Sequence, residues 1–173
     1  GKATAGMLTN PGSVVDYLEG VGTGKTIDVA PRPFVAVPTT AGTGSEVTKN
    51  AVIAGPGFKK SIRSTSLIPD VALVDPELTH SMPPAVTASC GMDAITQLVE
   101  PVLSRRAQPM TDALALRGLR AAAPSLRRAH DNPNDAEARE GMALGSLLSG
   151  ICLANAGLGA VHGFAAPLGA IAE

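Results

Sequence analysis

The 173-residue chain has no tryptophan, one tyrosine and three phenylalanines. With so few large rings, its core has to be filled by Ala, Leu, Val and Gly, which suits closely packed helices and strands. It has only two cysteines, Cys90 and Cys152, far apart in the chain. That excludes a disulfide framework and fits no metal-knuckle or redox spacing, so a reducing, cytoplasmic setting is expected. Neither sign of charge dominates, since 14 Lys and Arg face 15 Asp and Glu. Basic residues cluster only in short pairs such as Arg105-Arg106 and Arg127-Arg128, which gives no footprint for nucleic acid. A membrane-length apolar run is also missing. The most apolar stretch, residues 143–172, is interrupted by Ser146, Ser149, Asn155, His162, Pro167 and several glycines, so no membrane role is expected. Gly1-Lys2-Ala3 does not open a signal peptide. Gly1 in the place of Met, and a stop at Glu173 straight after an apolar stretch, read as cuts in a longer protein.

What is present is a hydrophobic fraction of 45%, enough for one ordinary globular domain or two small ones. The first half consists of short apolar runs between turns: 34–37 before Pro38, 51–53 before Gly55-Pro56-Gly57, and 71–74 between Asp70 and Asp75. Their length and β-branched content predict strands, and the continuous run Val71-Ala-Leu-Val predicts one buried on both faces of a parallel sheet. From Pro83 onward the spacing is helical. Met110, Leu114, Leu119 and Leu126 fall on one broad face, and Met142, Leu144, Leu147, Leu148 and Ile151 on another. Ser81 before Pro83-Pro84, Pro109, and the loop 131–134 before Asp135 predict helix starts. Composition changes near residue 80, so the chain reads as an α/β piece followed by an all-helical piece.

Three segments could carry chemistry. Pro38-Thr-Thr-Ala-Gly-Thr-Gly-Ser-Glu-Val-Thr48 follows a strand and is rich in hydroxyls and small residues. It suits either a dinucleotide, whose oxygens would meet hydroxyls and free amides, or an ordinary surface turn. It is neither a Gly-x-Gly-x-x-Gly fingerprint nor a P-loop. In Gly91-Met-Asp-Ala-Ile-Thr-Gln-Leu-Val-Glu100, Asp93 and Gln97 are one helix turn apart on one face, with Glu100 close to it. A carboxylate in so apolar a run needs a partner: a cap, an arginine or a bound cation. The third segment, residues 157–169, is apolar and glycine-rich with one imidazole, His162, which is either a hydrogen-bonded core residue or a metal ligand. His80 and His130 read as exposed loop residues.

In this order and at these separations, the three segments resemble the iron-containing alcohol dehydrogenase family, and the resemblance covers nearly the whole chain. Residues 38–48 resemble its second nucleotide-binding signature, residues 66–84 its domain junction, and residues 91–100 and 157–169 its two metal-bearing helical segments. The resemblance implies a dehydroquinate synthase-like two-domain architecture. A partial α/β dinucleotide-binding domain would span residues 1–80 and a partial all-helical metal-binding domain residues 81–173, with function in the cleft between them. It implies hydride transfer between NAD(P) and a small alcohol or aldehyde, with Fe2+, or alternatively Zn2+, polarising the substrate oxygen. Thr39, Thr40, Gly42, Thr43 and Ser45 would line the cofactor, and Lys60 would reach its ribose or phosphate. Asp93, Gln97 and His162 would hold the metal, and the parent would be a homo-oligomer. Two positions depart from the family's pattern: Gln97 stands where it usually has His, and Ala166 where it usually has a second His able to move a proton. The pyrophosphate loop would precede Gly1 and the last ligand would follow Glu173, so the chain alone is expected to be inactive. Related activities on the same scaffold, such as maleylacetate reduction or hydroxyacid-oxoacid hydride exchange, remain open, as does a non-catalytic nucleotide-binding paralogue.

Overall fold

The computed structural model describes residues 1–171, with the backbone alone at Ala166, Ala170 and Ile171. In chain order the elements are α1 (Lys2–Met7), β1 (Val35–Ala36), β2 (Asn50–Gly55), β3 (Phe58–Arg63), β4 (Val71–Ala72), α2 (Pro84–Val102), α3 (Pro109–Asp131), α4 (Ala136–Ala156) and α5 (Ala160–Ile171). Single 3-10 turns lie at Val14–Tyr17, Ser45–Val47, Thr65–Leu67 and Pro76–Thr79. The elements group into two compact units. One combines Gly1–Ala36, Thr48–Ala72 and the chain from Ala160 on; the other combines Val37–Val47 with Leu73–Gly159. A small sheet-bearing part thus precedes a helical part, as in a partial nucleotide-binding domain followed by a helical one.

In the first unit β1 and β4 pair in parallel, Val35 with Val71 and Ala36 with Ala72. The pair is shorter than the sequence predicts. Val71 and Leu73 are also half-exposed rather than buried on both faces, because no layer covers them among the described residues. A hairpin that the apolar pattern did not reveal joins β2 to β3 in antiparallel register. Its turn is Pro56-Gly57, where the fixed φ of proline precedes a positive φ of 73° at Gly57, the type II combination. Tyr17, Leu18, Ala51, Ile62 and Leu67 form this unit's core.

The second unit is built on α2, α3 and α4. Pro109 opens α3 at its first turn, and Gln108 with Thr111 forms a reciprocal cap. Asp135 caps α4, its carboxylate accepting from the Ala138 amide at 3.0 Å. The seam between α3 and α4 is not made by the leucines. The buried residues of α3 are Thr111, Ala115, Gly118, Ala122, Ser125 and Ala129, spaced alternately four and three apart. On α4, Ala138, Met142, Gly145, Ser149, Cys152 and Ala156 follow the same rhythm. That spacing keeps one narrow stripe facing the partner helix. Gly145 abuts Ala122, and Gly118 abuts Leu98. Helices this close leave room only for small side chains, so Leu114, Leu119 and Leu126 border the seam and Met110 lies 71% exposed. Among the described residues, no single helix is long and apolar enough to cross a membrane.

Candidate functional site

The loop before the 3-10 turn Ser45–Val47 runs across α2 and α4 of the second unit. It can lie close because its glycines meet small partners: Gly42 rests on Cys90 of α2, and Gly44, with φ of 59°, rests on Ser146 and Gly150 of α4. Gly42 is therefore buried in helix packing, whereas Thr39, Thr40, Thr43 and Ser45 are exposed. The Thr39, Thr40 and Ser45 side chains are accessible to a ligand. Thr40 also lines a cavity of about 10 Å3, room for one water, together with Pro38, Glu46 and Asp75.

Thr43 brings the loop and α2 together. Its hydroxyl donates to Asp93 Oδ2 at 3.1 Å, and its carbonyl accepts from Gln97 Nε2 at 2.7 Å. The same Nε2 donates to Ser149 Oγ on α4 at 3.0 Å. Asp93 is half-buried, while Gln97 is 1% exposed. The sequence anticipates Asp93 and Gln97 on one face. It does not anticipate that Thr43 joins them, nor that Ser149 completes the arrangement. The available signal for Ser149 was its place among small residues, Gly145, Ser146 and Gly150, on a helix that another segment approaches closely. Asp93 also acts on Cys90: burial, and then the charge of Asp93, push the Cys90 thiol above its ordinary pKa, so it is held as a thiol.

Lys60 and His162 belong to the first unit. Lys60 is exposed on β3, opposite Ile53. His162 is half-buried near the start of α5, which packs against β3. A pocket in that unit, about 270 Å3 and lined by Lys2, Arg32, Phe34, Ser66 and Asp70 among others, includes none of the anticipated residues. His130 is exposed and bonded to Asp131, as expected. His80 is not exposed: the 3-10 turn Pro76–Thr79 packs on α4, and the ring Nε2 that follows it is buried without a partner.

Residues 1–76 match the family profile described as iron-containing alcohol dehydrogenase, and residues 87–173 match that of the Fe-containing alcohol dehydrogenase family, C-terminal. The chain belongs to the iron-containing alcohol dehydrogenase family. It is 45% identical over 168 residues to long-chain-alcohol dehydrogenase 1 of Geobacillus thermodenitrificans, covering 97% of this chain and 42% of that protein. It is 40% identical over 173 residues to 1,3-propanediol dehydrogenase of Klebsiella pneumoniae, covering 99% and 44%. The crystal structure of sulfoacetaldehyde reductase from Bifidobacterium kashiwanohense in complex with NAD+ superposes with a TM-score of 0.90 at 38% identity, covering 98% of this chain and 45% of that one. The chain thus spans less than half the length of these iron-containing alcohol dehydrogenase relatives.

The family's metal can be tested against the donors on α2. Among the described residues, no three His, Cys, Asp or Glu side chains gather into a metal cluster. Asp93 supplies an anionic oxygen, and Gln97 a neutral amide whose nitrogen is committed to two acceptors. Its oxygen takes part in neither bond. A carboxylate and an amide oxygen suit a divalent cation of the hard or borderline kind, and the pair fits such an ion.

Proposed function

We propose that the whole protein is a metal-dependent oxidoreductase that moves hydride between NAD(P) and a small alcohol or aldehyde. The observation that carries this reading is the convergence of Asp93 and Gln97 on Thr43, within the hydroxyl-rich loop of an iron-containing alcohol dehydrogenase family chain. In it, Thr39, Thr40 and Ser45 would donate hydrogen bonds to cofactor oxygens, Thr43, whose hydroxyl proton goes to Asp93, would line the cofactor beside them, the backbone at Gly42 lets the loop lie close, and Lys60 adds a positive charge toward ribose or phosphate. Asp93, Gln97 and His162 are the residues that would hold the metal, Fe2+ or Zn2+, which when bound would supply Lewis-acid polarisation of the substrate oxygen for hydride exchange with the nicotinamide. Free Cys90 and Cys152 suit a cytoplasmic setting, and a homo-oligomer is the assembly expected from the resemblance.

The test is metal content and NAD(P)H turnover of the whole protein with short alcohols and aldehydes. Turnover that a chelator abolishes and ferrous iron or zinc restores supports the reading. Nucleotide binding without metal or turnover would instead make this a scaffold that has lost its chemistry, the reading that Gln97 in place of histidine favours. A Gln97→His variant with unchanged metal content and activity would remove Gln97 from the ligand set.

A further inference from the structure

Gln97 has the chemical ambiguity of every amide: one end donates, the other accepts, and only the oxygen is a useful metal ligand, because the nitrogen lone pair is delocalised. The structure resolves the ambiguity from two directions. The Thr43 carbonyl, 2.7 Å from Nε2, can only accept. Ser149 Oγ, 3.0 Å from Nε2, has its one proton directed to backbone carbonyls, of Ser146 at 2.8 Å and Gly42 at 3.3 Å, so it too presents lone pairs to Gln97. A reversed amide would set Oε1 against two acceptors. Ser149 is completely buried, so water cannot take over its task.

We propose that Ser149, with the Thr43 carbonyl, is a positioning residue that turns the Gln97 amide so that Oε1, and not Nε2, is presented to the divalent metal. This rests on the metal-dependent reading above. Position 149 is then tied to the glutamine at position 97, since a serine whose proton is already donated has only lone pairs to offer, and an amide NH2 has two protons to satisfy both acceptors. A neutral imidazole at 97 has only one N–H and would leave one acceptor unmatched.

The experiment is a Co2+ titration of the metal-stripped whole protein, read from the ligand-field absorption of the bound ion, with NADH binding by fluorescence as the control for folding. Ser149→Ala is expected to weaken Co2+ binding about tenfold and to alter the ligand-field spectrum, with NADH affinity retained. In a Gln97→Ala background, Ser149→Ala is expected to add nothing, because its effect passes through Gln97. Because Ser149 is buried, Ser149→Cys is measured beside it. Sulfur is a weaker acceptor of similar shape, and an intermediate loss is expected. An unchanged Co2+ affinity in Ser149→Ala or Ser149→Cys, or the same loss with and without Gln97, overturns the proposal. If wild type binds Co2+ and Gln97→Ala binds it as tightly, this inference alone falls. If wild type binds none, the metal-dependent reading falls with it.

Discussion

A β-carbon at Gly44 would meet the Ser146 carbonyl, and it would lie 2.7 Å from the backbone nitrogen and Cα of Gly150. The φ of 59° there is itself unfavourable to a side chain. Both penalties apply to Gly44→Ala, which should destabilise the protein by about 3 kcal/mol. Gly20, with φ of 71° and nothing near its missing β-carbon, incurs only the backbone penalty, about 1 kcal/mol. Urea midpoints of the two variants in the whole protein compare the effects directly, and equal midpoints would mean that the loop does not depend on its close approach to α4. Lys60 makes a different kind of contribution. Exposed on β3, it should be dispensable for folding, whereas a charge-assisted bond to the cofactor should not be. Lys60→Ala is expected to raise KM for NAD(P)H about tenfold with kcat and melting temperature unchanged. Steady-state kinetics at two salt concentrations check this, and an unaltered KM removes Lys60 from the cofactor site.

Among the elements, α4 depends most visibly on its first turn. The Asp135 carboxylate accepts from the Ala138 amide and pairs with Arg128, whose guanidinium also reaches Glu137. The Ala138 bond first, and Arg128 after it, hold the Asp135 carboxyl below its ordinary 3.8. The folded protein therefore binds this proton less readily than the unfolded chain. The resulting stability is fully present above about pH 4 and is lost as pH falls through the folded value. Asp135→Asn keeps a capping side chain but loses the charge. It should melt a few degrees below wild type at pH 7, with the two converging as the pH falls through the lowered folded value, as thermal melts would register. The starts of α2, α3 and α4 were legible to within a residue or so because proline and polar loop residues act locally, but the caps were not all placed. The α4 cap is Asp135 itself and not the end of loop 131–134 before it, and Ser81 does not cap α2, which begins at Pro83-Pro84 without a side-chain cap. The two apolar faces read from the sequence hold in part, since Met142 and Leu148 are in the core and Leu114, Leu119, Leu126, Leu144 and Ile151 pack against it while Met110 is exposed. The α3–α4 seam was not read, because its stripe runs through Ala115, Gly118, Ala122 and Ser125. Hydrophobicity finds the large residues; proximity of helices selects the small ones. The β2–β3 hairpin escaped for a related reason. Lys59, Lys60 and Ser61 give β3 no apolar alternation, and only Ile62 of that strand is buried. At the candidate site, the placing of Asp93 and Gln97 on one helix face could be read from the sequence. The Thr43 and Ser149 bonds could not, because they join residues 54 and 52 positions from Gln97.

At the scale of the whole molecule, the shared family and the spanned length pull in different directions. Nearly all of this chain aligns with relatives named as alcohol, propanediol or sulfoacetaldehyde enzymes, yet it spans only 42–45% of each. Exposed apolar residues occur on elements of both units: Val35 55%, Leu73 55%, Leu103 79%, Met110 71% and Phe164 69%. Where exposed apolar side chains of this size gather into a patch, they favour association. The 173 residues expressed by themselves are therefore expected to self-associate, to bind a hydrophobic dye, and to give no NAD(P)H turnover with any alcohol or aldehyde. The same segment within a protein of its relatives' length should be monodisperse and active. Light scattering and a turnover assay on the two proteins side by side decide the matter. A monodisperse, active 173-residue chain would mean that Thr39 to Ser45, Lys60, Asp93, Gln97 and His162 suffice for cofactor and metal, and that nothing beyond them is needed for the chemistry.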